Sequence, residues 1–215
     1  MELDFSQLSP AQRYKLLVGL VVPRPIALVS TVGQNGIVNA APFSFFNVLG
    51  DDPPILIISI ENKPDGEPKD TTRNILENHE FVVNLVDEAL AGPMHGCSTA
   101  YPSGISELAQ VGLTTLPSRG VAPPRIKEAP VALECKLYQH IQIHEKRHLF
   151  IGEVLWLHTA DGIIDPETLR VRLDDSGGYF PIGRLYADRY TTVRDQFTLA
   201  GGEGYINAIK AMGRS

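Results

Sequence analysis

Apolar positions along the chain fall mostly into short β-branched runs separated by turn residues, with a helical rhythm in only a few places. Ile26 to Val32 is apolar and β-branched, as a buried strand requires. Gly33-Gln34-Asn35-Gly36 tolerates positive φ and predicts a chain reversal. Ile37 to Ala41 then runs back and ends at Pro42, followed by Ser44, Phe45, Phe46 and Asn47. Small residues, hydroxyls and an amide leave room there for a ligand to approach the backbone. Asp51-Asp52-Pro53-Pro54 predicts a turn, and Ile55 to Ile60 predicts a strand buried on both faces. Phe81 to Val86 predicts another strand. Val131 to His158 reads as a long hairpin: Leu133, Cys135, Leu137, Ile141 and Ile143 alternate with polar residues, Glu145-Lys146-Arg147 turns, and Leu149 to Leu157 returns.

Helical signals fill the intervals. Ser9 and Pro10 suit an N-cap and a first turn, ahead of Tyr14, Leu16, Leu17 and Leu20. Pro23-Arg24-Pro25 breaks that pattern and forces an extended chain. Further helices are expected from Asp70 or Thr71 to near Glu80, from Asp87 to Met94, from Ser103 to Gly112 and, weakly, from Tyr205 to Met212. Prolines at 117, 123, 124 and 130 mark a surface loop. Many short strands with interspersed helices predict a closed antiparallel barrel with helical decoration, mainly β and forming one domain over residues 1–215.

Composition narrows the classes. A chain of 215 residues suits one sizeable core, and 43% hydrophobic with 20% charged residues is ordinary for a soluble globular protein. A net charge of −6 carries no nucleic-acid footprint, since such domains are usually basic. The opening MELDFSQLSP has no apolar h-region, so no secretory signal is expected. No apolar run approaches the roughly 20 residues that span a bilayer, so no membrane partner is expected either. Cys97 and Cys135 lie in unrelated contexts and read as free thiols in a reducing, cytoplasmic compartment.

Candidate chemistry centres on Lys69-Asp70-Thr71-Thr72. A helix starting there would offer unsatisfied backbone N–H groups, the positive end of its dipole, two hydroxyls and a cation, the ingredients of a phosphate site. The bland alternative makes Asp70 a plain N-cap and Lys69 a solvated charge. The dinucleotide fingerprint is absent, because Gly201-Gly202-Glu203-Gly204 has the wrong spacing and no preceding strand. No Walker A loop, HExxH pair or GxSxG elbow occurs. His140, His144 and His148 recur every four residues, but the segment alternates with period two and turns, so they are not expected to converge on a metal. His95 and Cys97 lack a second ligand pair.

Seven segments together resemble the flavin reductase-like family of FMN-binding split barrels, which includes flavoredoxin-type proteins and reductase components of two-component monooxygenases. They are VVPRPIALVST (21–31), NAAPFSFFN (39–47), PPILIISI (53–60), KDTTRNI (69–75), CSTAYPSGISEL (97–108), HLFIGEV (148–154) and YFPIGRLYADRY (179–190). They occur in the family's order and span most of the chain.

That resemblance implies a split β-barrel that binds FMN non-covalently, takes a hydride from NAD(P)H onto flavin N5 and passes electrons to a downstream acceptor. It implies Ser30 and Thr31 near the phosphate and ribityl chain, and Lys69, Asp70, Thr71 and Thr72 at the phosphate end. Ala41, Pro42, Ser44, Phe45, Phe46 and Asn47 would lie along the isoalloxazine ring, with Ser59 and Ile60 closing the site. His148 would stand beside the nicotinamide or the flavin as the catalytic candidate, and Arg184 would reach a neighbouring site or a partner subunit. Phe45 and Phe46 equally suit a core, and His148 an ordinary strand position. The family usually forms homodimers with the flavin near the interface. Two other classes stay open: a flavin-binding electron-transfer module without nicotinamide activity, and a cofactor-free interaction barrel.

Overall fold

In the computed structural model, which describes residues 1–102, 104–199, 201, 202, 204 and 210, Ser9 caps helix α1 (Pro10–Leu20). Ser9 Oγ accepts from the Gln12 N–H at 3.3 Å and Gln12 Oε1 accepts from the Ser9 N–H at 2.8 Å, a reciprocal capping box. Val18 is the one buried residue of this helix, and Tyr14, Leu17 and Leu20 face outward. The short β1 (Arg24–Pro25) leads into β2 (Ala27–Val32), which pairs with β3 (Val38–Phe43) across the expected turn, where Gly36 takes φ 77°. β4 (Phe46–Asp51) and β5 (Pro54–Glu61) form a second hairpin. Phe46 and Asn47 therefore begin a strand.

Helix α2 (Asp70–Asn78) ends at His79 in the left-handed conformation and hands over to β6 (Glu80–Leu85). The third helix, α3 (Ala91–Gly96), starts later than the pattern predicts, because Asp87 Oδ1 accepts from the Leu90 N–H at 3.0 Å and makes a turn. Gly104 at φ 94° similarly delays α4 (Glu107–Val111). The proline loop holds a two-residue pair, β7 (Thr115–Leu116) and β8 (Arg125–Ile126). The long hairpin is β9 (Val131–His144) and β10 (Arg147–Thr159), followed by β11 (Ile182–Arg184) and β12 (Tyr190–Thr192). The helix expected over residues 205–212 lies almost entirely outside the described residues.

Seven strands form one antiparallel sheet in the order β3-β2-β6-β9-β10-β5-β4. It curls so that its two edge strands, consecutive in sequence, meet without pairing. The barrel is thus split, not closed as the strand count alone suggests. Its interior holds Ala27, Val29, Leu56, Ile58, Ile60, Phe81, Val83 and Phe150, with Ile75 of α2 inserted at one end. A second apolar cluster on the outside of β2 is covered by α3, α4 and the β8 strand through Met94, Leu108 and Ile126.

Two expectations are corrected here. β5 is not buried on both faces: Leu56, Ile58 and Ile60 point inward, while Ile55, Ile57 and Ser59 are half-buried. An antiparallel strand with one covered face alternates in this way. His140 and His148 do converge. Register shifts in the β9–β10 ladder set His140 opposite Phe150 and His148 opposite Gln142, so the two histidines are diagonal neighbours on the inner face. His144 is exposed in the final residue of β9. Among the described residues no group of three or more His, Cys, Asp or Glu side chains could hold a metal ion, and no helix is long and apolar enough to cross a membrane.

Candidate functional site

Beside the edge strand β3 lies a cavity of about 600 Å³, within the range of small-molecule sites. Asn39, Ala41, Pro42 and Phe43 of β3 form one wall, and the start of α2 (Lys69, Asp70, Thr71) forms another. Lys63 to Asp65 and the α3–α4 connection from Cys97 to Pro102, with Glu107, complete it. A smaller cavity of about 190 Å³ adjoins through Asn39 and Asp70 and adds Arg73.

The α2 end of this cavity gathers a cation and free helix N–H groups. Among the described residues, the N-cap residue Lys69 makes no side-chain capping bond to helix α2. Its dipole and N–H groups therefore face outward at the point where Lys69 stands. Lys69 is half-buried, has no ion pair among the described residues, and holds its ammonium 5.6 Å from the centre of the Phe43 ring. Burial lowers its pKa, opposed by Glu61 and assisted by Arg147. Asp70 is balanced by Arg73 at 2.9 Å and Lys63 at 3.7 Å. Thr72 Oγ1 is buried without a hydrogen-bond partner among the described residues.

The β3 wall is firmly held. Glu107, 9% exposed, takes the Ala40 N–H on Oε2 at 2.9 Å and so clips α4 to β3. Burial raises its carboxyl, partly opposed by the N–H groups of Ala40 and Glu107 itself, while the Asp70 charge adds to the rise. Cys97, also a wall residue, is pushed up to about 12 by burial and by Glu107, which leaves a protonated, unreactive thiol.

Residues 19–183 match the flavin reductase like domain. The chain belongs to the flavin reductase-like family. It is 41% identical over 198 residues to an uncharacterised Bacillus subtilis protein, covering 90% of this chain and 95% of that one. It is similar to the structure of Pseudomonas fluorescens 2-nitrobenzoate 2-nitroreductase, with 40% identity, a TM-score of 0.85, and coverage of 93% and 95% of the two chains. Nitrilotriacetate monooxygenase component B from Bacillus cereus matches at 32% identity and TM-score 0.87 over 93% and 98%. Flavoredoxin of Desulfovibrio vulgaris, at 19% identity and TM-score 0.72 over 95% and 100%, shares the fold.

The site residues implied by the family resemblance are not all gathered at one place. Ala41, Pro42, Lys69, Asp70 and Thr71 line the large cavity. Pro42, Ser44 and Arg184 meet at a small crevice next to it, where Arg184 is also tied to the Tyr190 hydroxyl at 3.0 Å. Phe45 and Ser59 lie under Arg147, whose guanidinium is 5.4 Å from the Phe45 ring and 3.3 Å from Ser59 Oγ. Asn47 is exposed on β4, beside a separate apolar crevice.

The others are interior. Ser30 Oγ donates to the Pro124 carbonyl at 2.6 Å and accepts from Asn84, and Thr31 Oγ1 accepts from Asn74 at 3.0 Å. Both are fully buried, their hydroxyls used in joining β2 to its neighbours. Phe46 and Ile60 belong to the barrel core. His148, 6% exposed, stacks on His140 and does not line the cavity. Its Nε2 has no hydrogen-bond partner among the described residues. Phe43, Asn39, Tyr101 and Glu107 are wall residues that sequence reasoning missed. Asn39 carried a signal, as an amide inside a β-branched strand.

Proposed function

We propose that this flavin reductase-like chain binds FMN in the large cavity, accepts a hydride from NAD(P)H and passes the electrons to a downstream acceptor. The observation that carries this reading is the pairing, in one cavity, of the α2 anion end with the apolar β3 wall. A phosphomonoester fits the Lys69 ammonium, the uncapped helix N-terminus and Thr71. A planar aromatic ring fits against Ala41, Pro42 and Phe43.

When bound, the flavin supplies the hydride-accepting ring and the electron relay, so the protein need only bind, orient and shield. Lys69 neutralises the phosphate charge. The β3 wall holds one face of the ring dry. Arg147, half-buried beside Phe45 and close enough to influence Lys69, gives the dinucleotide donor a cationic landing point. His148 enters as a positioning residue: with His140 it packs the start of β10 from inside, next to Arg147 in sequence. The acceptor belongs to one of two classes represented among the relatives: a small nitroaromatic compound, as for the Pseudomonas protein, or a partner monooxygenase, as for the Bacillus cereus component.

The reading includes a homodimer. Tyr14, Leu17, Leu20, Val48 and Leu49 leave apolar surface exposed, from 49% at Leu17 to 75% at Leu20, which a second copy would cover. The test of the reductase step is anaerobic addition of NADH, then NADPH, to the FMN-loaded protein. Loss of the visible flavin absorbance with one donor is expected. Unchanged absorbance with both would leave a flavin-binding electron-transfer module in place of a reductase.

A further inference from the structure

The buried Glu107 carboxylate reaches Thr71 through one intermediate, the amide of Asn39. Asn39 is 8% exposed, and its amide fits among the same neighbours in either of two orientations, which reverse its hydrogen bonding toward Glu107 and Thr71. In one, its nitrogen donates to Thr71 Oγ1 at 2.9 Å, and its oxygen faces Glu107. In the other, its nitrogen donates to Glu107 Oε1 at 3.0 Å, and its oxygen accepts from Thr71 Oγ1 at 2.9 Å and from the Ala40 N–H at 3.3 Å.

The charge on Glu107 selects between them. An ionised carboxylate only accepts, so it draws the Asn39 nitrogen toward itself. Thr71 must then donate its single proton to Asn39 and can offer the cavity only lone pairs. A protonated Glu107 can donate from Oε1 to the Asn39 oxygen. The amide then turns its nitrogen to Thr71, whose hydroxyl proton is released toward the cavity. Phosphoryl oxygens are acceptors, so they match only the arrangement with neutral Glu107.

We propose that Glu107 is a positioning residue that sets the donor or acceptor polarity of Thr71 through Asn39, so that binding a phosphomonoester in this cavity takes up a proton at Glu107. This rests on the cavity being the flavin site. Among the described residues, the ionisable groups facing Glu107 are Asp70 on α2 and the Cys97 thiol after α3, and β3 contributes Asn39 and Ala40. Lys63 and Lys69 line the same cavity. Burial holds the Glu107 carboxyl above the usual carboxylate range, and the Asp70 charge adds to it. Both effects favour the neutral form of Glu107.

The test is fluorescence titration of FMN and of riboflavin, from about pH 5 to about pH 8, on the wild type, Glu107→Gln and Thr71→Val. The amide introduced by Glu107→Gln donates to the Asn39 oxygen permanently and mimics the neutral acid, while Thr71→Val removes the responding hydroxyl. For the wild type, FMN affinity should fall with rising pH more steeply than in either variant, by up to about tenfold per pH unit, the limit for one linked proton. Comparison with the variants subtracts the titration of the phosphate itself. Riboflavin, which lacks the phosphate, should show no such slope. Equal FMN slopes in all three proteins, or the same slope for riboflavin, would overturn the relay while leaving the flavin site standing. If Glu107→Gln does not fold, the wild type and Thr71→Val carry the comparison alone. Absence of binding of either flavin by the wild type would remove the proposed function and the relay together.

Discussion

His140 Nε2 lies 2.9 Å from His148 Nδ1, with the rings stacked at 5.2 Å between centroids inside the barrel wall. One ring nitrogen must donate and the other accept, so the pair is stable with both rings neutral. Burial lowers the pKa of both, and His140 lowers His148 further. In the unfolded chain each protonates near its ordinary value of about 6.5, whereas the folded pair resists. The unfolded state therefore binds more protons in that window, and stability falls as pH drops from about 6.5 toward the folded values. Thermal melts should show this decline, and His140→Phe, which keeps a ring in the stack without titrating, should reduce it. An unchanged pH profile in that variant would contradict the assignment.

The Gly152 backbone passes directly beneath the ring of Phe81: a Cβ added at Gly152 would overlap Phe81 Cζ. Phe81 is fully buried in the barrel core, so it has little room to yield. Gly152→Ala should destabilise the fold by about 1–3 kcal/mol, the usual cost of overpacking. Urea denaturation measures this. A midpoint equal to that of the wild type would mean that the β6–β10 contact is looser than described.

Glu134 is fully buried and accepts from the N–H groups of Arg119 and Gly120 at 2.8 and 2.6 Å and from His158 Nε2. Burial alone would raise its pKa, but these hydrogen bonds outweigh it and the net shift is downward. Its contribution is present above the ordinary Glu range and is lost as pH falls through the lowered folded value. Glu134→Ala should cost about 1–3 kcal/mol, since its donors are only partly buried, and should expose the 117–124 loop to protease. Proteolysis at the wild-type rate would argue against that anchoring.

Light scattering of the purified protein at micromolar concentration should give the mass of a dimer, because α1 and β4 leave apolar side chains exposed. A monomer mass would contradict the homodimer.

Local chemistry was the legible part. The Ser9 N-cap, the Gly33–Gly36 turn and the α2 N-terminus each depend on residues within a few positions of one another. The split was not legible from patterning, because it depends on where two edge strands meet after the sheet curls. The facing of Ser30 and Thr31 depends on what covers β2, namely Pro124, Asn84 and Asn74 from distant segments. Glu107 joins the site across 67 residues, and the meeting of the two histidines depends on ladder irregularities that no spacing rule foresees.

The α2 end of the cavity is the part of the site most directly open to mutation. Replacing Lys69 and Thr71 together with Ala should weaken FMN binding by on the order of 1–3 kcal/mol for each phosphate partner lost. The barrel itself should remain intact, since Lys69 is outside both apolar clusters described for β2 and the barrel interior.

The central claim is that this cavity holds a flavin. Its most direct test is titration of the wild-type chain with FMN, followed by quenching of flavin fluorescence. Saturable binding of one FMN per chain, weakened in the Lys69→Ala, Thr71→Ala double variant, is the predicted result. No saturable binding by the wild type, or equal affinity in the double variant, would contradict the site described here.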